Sequence, residues 1–426
     1  MAEQHQVQYA LLPPALLHGK GMLPLPSPDA DVEAVAPATT GRNFGKTQAQ
    51  PRSARAAAHA GGAETGARRP LATLGSRDWL AGLGAWGRGL RAEAAEAFAR
   101  VARSSSGPAA LRSAFWAARA YAAAGDRKAS LDWFVRAAQA PDSLYGMLAL
   151  YSLDALPTFA WSAPAPMDSE IAELGQEPAV RGALALLEAG RQDQAELLLR
   201  RAAERLSPRK NGAMLALALQ RGLPSLAMHC AERDVELGGE RNYAGLYPVP
   251  PWQPEGGFTV DRALVYAIVR HESHFIPEVH NPSGATGLLQ LMPQTARAVA
   301  PEWTIRHLAE PATNIAIGQR LILRLLTDDA IQGNLIYFAV AYAKGRGGFD
   351  RLHAPRGESG DPLFYIASLP GDVRQFVESV LADFWIYQIR LGRPPEGLGV
   401  LAAGRWPRYL PSIPAEALLQ ESAVTR

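Results

Sequence analysis

The first 72 residues mix Ala, Pro, Gly and scattered polar side chains, with neither the two-residue period of a strand nor the 3.6-residue period of a helix. Such a stretch buries too little apolar surface to offset its ordering entropy, so 1–72 is predicted to be disordered. From Asp78 to about Leu237 the chain turns into Ala- and Leu-rich helical segments. Four of them share a pattern: a glycine, a small residue five positions on, and an apolar residue four further. These are Gly89…Ala94…Phe98, Gly125…Ser130…Phe134, Gly190…Ala195…Leu199 and Gly222…Ala227. The glycines lie 36, 65 and 32 residues apart, the middle value being close to two periods. A period near 34 is that of a helix–turn–helix repeat, in which glycine ends one helix and the small residue lets the next pack closely. The missing copy falls near residue 157, where Pro157, Pro164 and Pro166 interrupt the pattern. The expectation over 73–245 is a degenerate α-solenoid, a TPR-like superhelix, with an irregular helical domain as the alternative. Trp116, Trp133 and Tyr145 sit among alanines between Phe115 and Leu150 and are expected to fill core space between stacked helices.

A Pro-rich break, 246–251, then separates a last region, 252–400, from this helical part, and 401–426 reads as a tail. In the last region, 258–273 has a helical pattern with Asp261 near its start. Val260, Leu264, Ile268 and Glu272 recur every four residues and therefore line one face. Three are apolar and the fourth is a carboxylic acid at the C-terminal end. Partial desolvation and the negative end of the helix dipole both favour its protonated form, which a general acid requires. The plainer alternative is a structural Glu272 paired with Arg270. Beyond it, 277–287 is a turn-rich loop with Pro282, Gly284 and Gly287. Leu288–Met292 carries a single polar side chain, Gln290, and Pro293 opens another helix.

Composition narrows the chemistry. The chain has 426 residues, 48% hydrophobic and 20% charged, as globular proteins do. A net charge of +2 selects no partner class, and no nucleic acid is expected. Cys230 is the only cysteine, which excludes an intramolecular disulfide and a thiolate metal cluster; it reads as a buried hydrophobe. His271, Glu272 and His274 do not make a zincin helix, because the second histidine comes one residue early. No metal and no cofactor is expected. No run of eighteen apolar residues occurs, and Met1–Ala10 lacks the basic start and apolar core of a secretory signal.

His271-Glu-Ser-His-Phe275 followed by Asn281-Pro-Ser-Gly-Ala-Thr-Gly-Leu-Leu-Gln-Leu-Met-Pro-Gln-Thr-Ala296 resembles the signature of the soluble lytic transglycosylases. Asn314-Ile-Ala-Ile-Gly318 resembles that family's next motif, and Ala341-Tyr342 its Ala-Tyr-Asn-Ala-Gly-Pro-Gly loop. The likeness runs from about 255 to 395, and Phe115–Leu150 is similar to part of the family's helical superstructure. It implies an all-α chain whose solenoid precedes a lysozyme-like catalytic domain. It also implies a lyase acting on peptidoglycan, in which Glu272 protonates the bond between N-acetylmuramic acid and N-acetylglucosamine. As carboxylate, Glu272 then deprotonates the muramoyl 6-hydroxyl, closing a 1,6-anhydro ring. Two carboxylates serve most glycosidases; here the substrate supplies the nucleophile and one acid suffices.

The resemblance further implies a sugar cleft lined by Gln290, Met292, Thr295 and Tyr342, with Asn281 where the family has serine. Asp372 and Phe376 stand in the late Glu-Thr-x-x-Tyr-Val motif, where the tyrosine hydroxyl is lost. The loop after Tyr342 departs at Ala343 and Arg346. A hydrolytic enzyme using Glu278 or Asp372 as second carboxylate, and a non-catalytic wall-binding scaffold, remain as alternatives. The partners implied are glycan strands and, through the helical repeats, proteins of the cell-wall machinery. Such a substrate lies in the periplasm, so an export signal upstream of Met1, or processing of the chain, is expected.

Overall fold

A computed structural model describes residues 72–303, 305–353 and 360–410. The predicted disorder of 1–72 falls, except for its last residue, outside the described residues, as does 411–426 of the expected tail. The described chain is all-α; its only β features are isolated bridges, such as His280 with Thr286 and Thr286 with Leu291.

Five helices come first: α1 (Ala72–Gly87), α2 (Arg91–Ser104), α3 (Gly107–Ala123), α4 (Arg127–Ala137) and α5 (Leu144–Ser152). Each packs against its successor. After a helix-free stretch come α6 (Asp168–Gly175), α7 (Pro178–Glu188), α8 (Gln192–Ala203), α9 (Pro208–Arg221), α10 (Pro224–Glu236) and the short α11 (Tyr243–Leu246). The remaining helices are α12 (Arg262–Ser273), α13 (Pro293–Val299), α14 (Pro311–Leu326), α15 (Leu335–His353), α16 (Pro362–Ser368), α17 (Gly371–Arg390) and α18 (Leu398–Ala402).

The four repeat glycines do what their spacing predicts. Gly89, Gly125, Gly190 and Gly222 all adopt positive φ, between 63° and 88°. At each, the following amide reaches back five residues, as in Leu90 N to Ala85 O at 2.9 Å and Arg191 N to Leu186 O at 2.8 Å. This is the Schellman closure of a helix, and it needs a residue that tolerates the left-handed region. The small and apolar partners are buried: Ala94, Phe98, Ser130, Phe134, Ala195, Leu199 and Ala227. At the missing copy the closure is still made, by Asp154 at φ 58°, with Ala155 N on Leu150 O at 2.9 Å. No helix restarts until Asp168, because the prolines of 157–166 cannot continue the pattern.

The last region is built around α12 against α17. Asp261 caps α12 by accepting from Ala263 N at 2.9 Å, and Arg393 pairs with its carboxylate at 2.5 Å. The strap 407–409 runs alongside: Leu335 N donates to Pro407 O and Asp261 N to the Tyr409 hydroxyl. Arg119 of α3 pairs with Asp361, the cap of α16, at 2.9 Å, joining the first helices to the last region.

Asp154 pays a steric cost that glycine avoids. Asp154→Gly is expected to raise stability by about 0.5 kcal/mol, read as a higher denaturant midpoint, because an exposed left-handed position favours the residue without a Cβ. A lower midpoint would show that the closure is not formed.

Candidate active site

Glu272 occupies the last turn of α12, and the apolar face below it, Val260, Leu264 and Ile268, is buried. The helix ends sharply: His274 and Phe275 both have positive φ (49° and 62°), so the chain leaves the axis just past the acid. Consecutive left-handed conformations in residues bearing side chains are strained and persist only where the surroundings impose them. Phe275 is wholly buried and acts as the anchor.

Arg270, which the plainer reading pairs with Glu272, points elsewhere. Its NH1 meets Asp383 Oδ2 of α17 at 3.1 Å, its Nε donates to Leu246 O at 3.0 Å, and its guanidinium lies 4.5 Å from the Tyr247 ring centre. Glu272 is half-buried. Burial alone pushes its carboxyl from 4.5 up to about 7, with no neighbouring charge contributing. A carboxyl held in that state is half protonated near neutrality, which suits a group that must first give and then take a proton. Burial also lowers His271 to about 4, so its ring is neutral beside the acid. His274 lies past the end of α12 and shares no helix face with His271.

The signature loop is tied to Tyr342, which lies within electrostatic reach of Glu272, and is held by Asn314. The buried Asn314 amide accepts from Leu289 N at 2.8 Å and donates to Thr286 O at 3.1 Å and Leu308 O at 2.7 Å. Gly287 and Gly318 permit the close approach. A Cβ at Gly287 would fall on the Leu308 carbonyl and the Asn314 amide, and one at Gly318 on the Leu289 side chain.

Tyr342 of α15 completes the wall. It lies within electrostatic reach of Glu272, donates its hydroxyl to Leu289 O at 2.8 Å, and stacks nearly parallel (10°) on Phe376 at 6.1 Å. Phe376 receives the His271 ring edge-on at 4.8 Å.

The structure thus brings Glu272, Tyr342 and Phe376 together. Gln290, at φ 44°, commits its side-chain nitrogen to Val279 O and Gly287 O, both at 3.0 Å. Asn281 spends its amide oxygen on Ser283 N and Ala285 N, both at 2.9 Å, shaping the loop. Met292 is exposed at the start of α13, and Thr295 is half-buried on it. Asp372 is exposed and tied to Lys344 Nζ at 2.5 Å; that contact holds its carboxyl below the usual range. α15 breaks at Gly345 (φ 69°, ψ 168°), beside the altered loop residues. Arg346 turns to Asp328 at 3.3 Å and Asp350 at 3.2 Å.

Sequence reasoning did not single out Asn314, Lys344 or His271 as site residues. The signal for Asn314 was its place opening the second motif; for Lys344, its position two residues past Tyr342. Among the described residues, no group of three His, Cys, Asp or Glu is arranged to hold a metal.

The family model of the "Transglycosylase SLT domain" matches residues 253–362, the segment that holds Glu272, the signature loop and Tyr342. The chain carries a transglycosylase SLT domain. Around it, 162 residues are 30% identical to the soluble lytic murein transglycosylase of Escherichia coli strain K12, covering 36% of this chain and 24% of that protein. The Salmonella typhimurium protein of the same name is 31% identical over 147 residues, 32% of this chain and 22% of that one. The matched stretch thus spans about a quarter of these relatives' length. The fold extends further than the sequence likeness. The lytic transglycosylase Slt of Pseudomonas aeruginosa, solved as an inactive mutant, superposes with a TM-score of 0.63 at 20% identity over 81% of this chain and 55% of its own. The 70-kDa soluble lytic transglycosylase of Escherichia coli gives 0.64 at 19% identity, over 78% and 54%. Both cover the helical part as well as the SLT domain, since the SLT match alone is much shorter than either overlap.

Glu272 carries a stability signature. Its folded-state value lies above its unfolded one, so stability is highest below about pH 4.5 and declines as pH rises through about 7. Glu272→Gln lacks that decline. At pH 8 the variant is expected to be more stable than the parent by roughly 1–2 kcal/mol, and at pH 4 to differ little. Melting curves at the two pH values check this; equal differences at both would mean that the carboxyl is not desolvated.

Proposed function

We propose that this chain is a peptidoglycan lytic transglycosylase. It cleaves the β-1,4 bond from N-acetylmuramic acid to N-acetylglucosamine and leaves 1,6-anhydromuramoyl ends. The observation that carries the reading is a Glu272 with no ion pair among the described residues, its carboxyl pushed up to about 7 by burial. Protonated, it donates to the glycosidic oxygen as the bond breaks. The resulting carboxylate takes the proton of the muramoyl 6-hydroxyl, whose oxygen closes onto C1. The proton count balances, and Glu272 ends as it began.

A hydrolase of the usual kind needs a second carboxylate nearby. Asp372 is bound to Lys344, Glu278 is exposed, and neither shifts Glu272. This favours the single-acid route. The SLT domain and relatives named soluble lytic murein transglycosylases support the substrate class, and one neighbour was solved as an inactive mutant with glutamine in place of glutamate. Gln290, through its free oxygen, and Met292, Thr295, Tyr342 and Phe376 would line the sugar cleft. Asn281 would act by shaping the loop, and Asp372 through Lys344. The helical part, read as a TPR-like superhelix, would engage the strand or other wall proteins in the periplasm. No described helix is long and apolar enough to cross a membrane.

Digestion of purified sacculi with mass analysis of the products tests the reading. Anhydro ends are expected; reducing ends would make the enzyme a hydrolase, and no fragments would make it a binder. Glu272→Gln is expected to fold and to lose about three or more orders of magnitude in rate, since an amide neither gives nor takes the proton. In the parent enzyme, kcat/KM is expected to fall above about pH 7 as the acid ionises.

A second test concerns the departures in the cleft. Phe376→Tyr and Ala343→Asn restore polar groups, each worth up to roughly ten- to a hundredfold if it meets the transition state. Activity is expected to rise or hold. A large fall in both variants, with folding intact, would mean that the cleft is organised differently around Lys344 and Arg346.

A further inference from the structure

Helix α17 has two working faces. At 100° per residue, Asp372, Phe376 and Asp383 share one face, and Arg374 and Glu378 lie nearly opposite. The first face meets the cleft: Phe376 stacks on Tyr342 and takes the His271 ring edge-on, and Asp383 holds Arg270 of the helix bearing Glu272. The second meets the helical part. The Tyr145 hydroxyl of α5 donates to Glu378 Oε1 at 2.8 Å. Arg112 of α3 stands 4.0 Å from Oε2 and Arg374 3.8 Å from Oε1, both beyond hydrogen-bond length. The three charged side chains are each less than one-fifth exposed.

Arg112 is occupied with the Trp79 ring, 4.6 Å away, and Arg374 NH1 donates to Ala367 O and Leu369 O at 3.3 and 3.4 Å. Tyr145 is thus the one group that fixes the carboxylate's orientation by direct hydrogen bonding among the described residues. A largely buried carboxylate with two guanidiniums just out of reach, tethered by a neutral hydroxyl, is sensitive to that hydroxyl. Without it, the carboxylate loses its one direct tie to α5 and is drawn toward the arginines, which loosens the first turns of α17 that carry Glu378.

We propose that Tyr145 is a positioning residue for the proposed reaction: through Glu378 it sets where α17 holds Phe376 against Tyr342, so that the helical part completes the sugar cleft from behind. The inference rests on the transglycosylase reading for its kinetic effect but not for its structural one. Substituting Glu378 would strand two buried arginines and endanger folding, so the probe is Tyr145→Phe, which keeps the ring and the charges.

The full chain is compared with Tyr145→Phe and with Leu199→Ala, a buried substitution in α8, which packs on α7 and α10. All are assayed well below their melting temperatures. Tyr145→Phe is expected to raise KM for soluble glycan strands by about tenfold with kcat within about twofold, as misplacement of a binding wall does. It is also expected to speed amide exchange in 338–344 of α15, which Tyr145 does not touch, by roughly threefold or more. Leu199→Ala, even with a larger melting loss, is expected to leave both unchanged. Equal effects in the two variants, or unchanged exchange over 338–344 in Tyr145→Phe, would overturn the proposal. If the parent chain releases no fragments, the transglycosylase reading fails, and the exchange comparison alone still decides whether Tyr145 sets the cleft.

Discussion

The ion pair between Arg270 and Asp383 organises the rest of the site. It joins α12 to α17 from within the core, with Asp383 almost fully buried and Arg270 further held by the Leu246 carbonyl and the Tyr247 ring. Breaking such a pair strands a charge in low dielectric, at a cost of about 3–5 kcal/mol, so the two helices hold a fixed register. The pair also occupies Arg270, the cation nearest to Glu272 in sequence. Had Arg270 turned to the acid two residues on, the carboxyl would be stabilised as an anion and pulled below its ordinary value. Anchored elsewhere, it leaves burial to set the Glu272 carboxyl among the described residues.

The loop beyond α12 solves a related problem. A backbone that turns tightly just past the acid-bearing helix must leave few polar groups unpaired. His274, Phe275 and Gln290 accept left-handed conformations to do this, and the cost of each is borne by the contacts around it. Phe275 is buried, Gln290 ties the loop to itself, and Asn314 satisfies three backbone groups at once. Most polar side chains of the signature therefore build the loop. Tyr342, within electrostatic reach of Glu272, joins the loop to Phe376.

Helix α17 links these parts to the helical region. It serves the cleft with one face and Tyr145 and Arg112 with the other, and the Arg119–Asp361 pair adds a second junction nearby. The SLT match ends at residue 362, before α17 begins, yet Phe376 and Asp383 are integral to the site. The strap at 407–409 likewise lies beyond the match and supports the start of the acid-bearing helix.

Much of this was legible in the sequence because it depends on local periodicity and backbone preference. The four glycines and their small and apolar followers specify helix ends and close packing, which neighbouring residues decide among themselves. The spacing of Val260, Leu264, Ile268 and Glu272 likewise placed a carboxyl where an apolar face ends. Asp154 escaped notice because a local pattern reads residue types, and here an aspartate takes a glycine's conformation. The partners of Arg270, Lys344 and Glu378 were not legible, because contacts across 113, 28 and 233 residues depend on how helices dock. Whether Gln290 and Asn281 face a ligand or their own loop was equally closed to the sequence, since an amide serves either purpose and only the path of the backbone decides. The sequence by itself determined many of the helix ends and placed a carboxyl where an apolar helix face stops. Only the tertiary structure decided that Arg270, which the helix period sets nearly opposite Glu272, is held by Asp383 of α17, and that no counter-charge meets Glu272 among the described residues, because both depend on how helices dock.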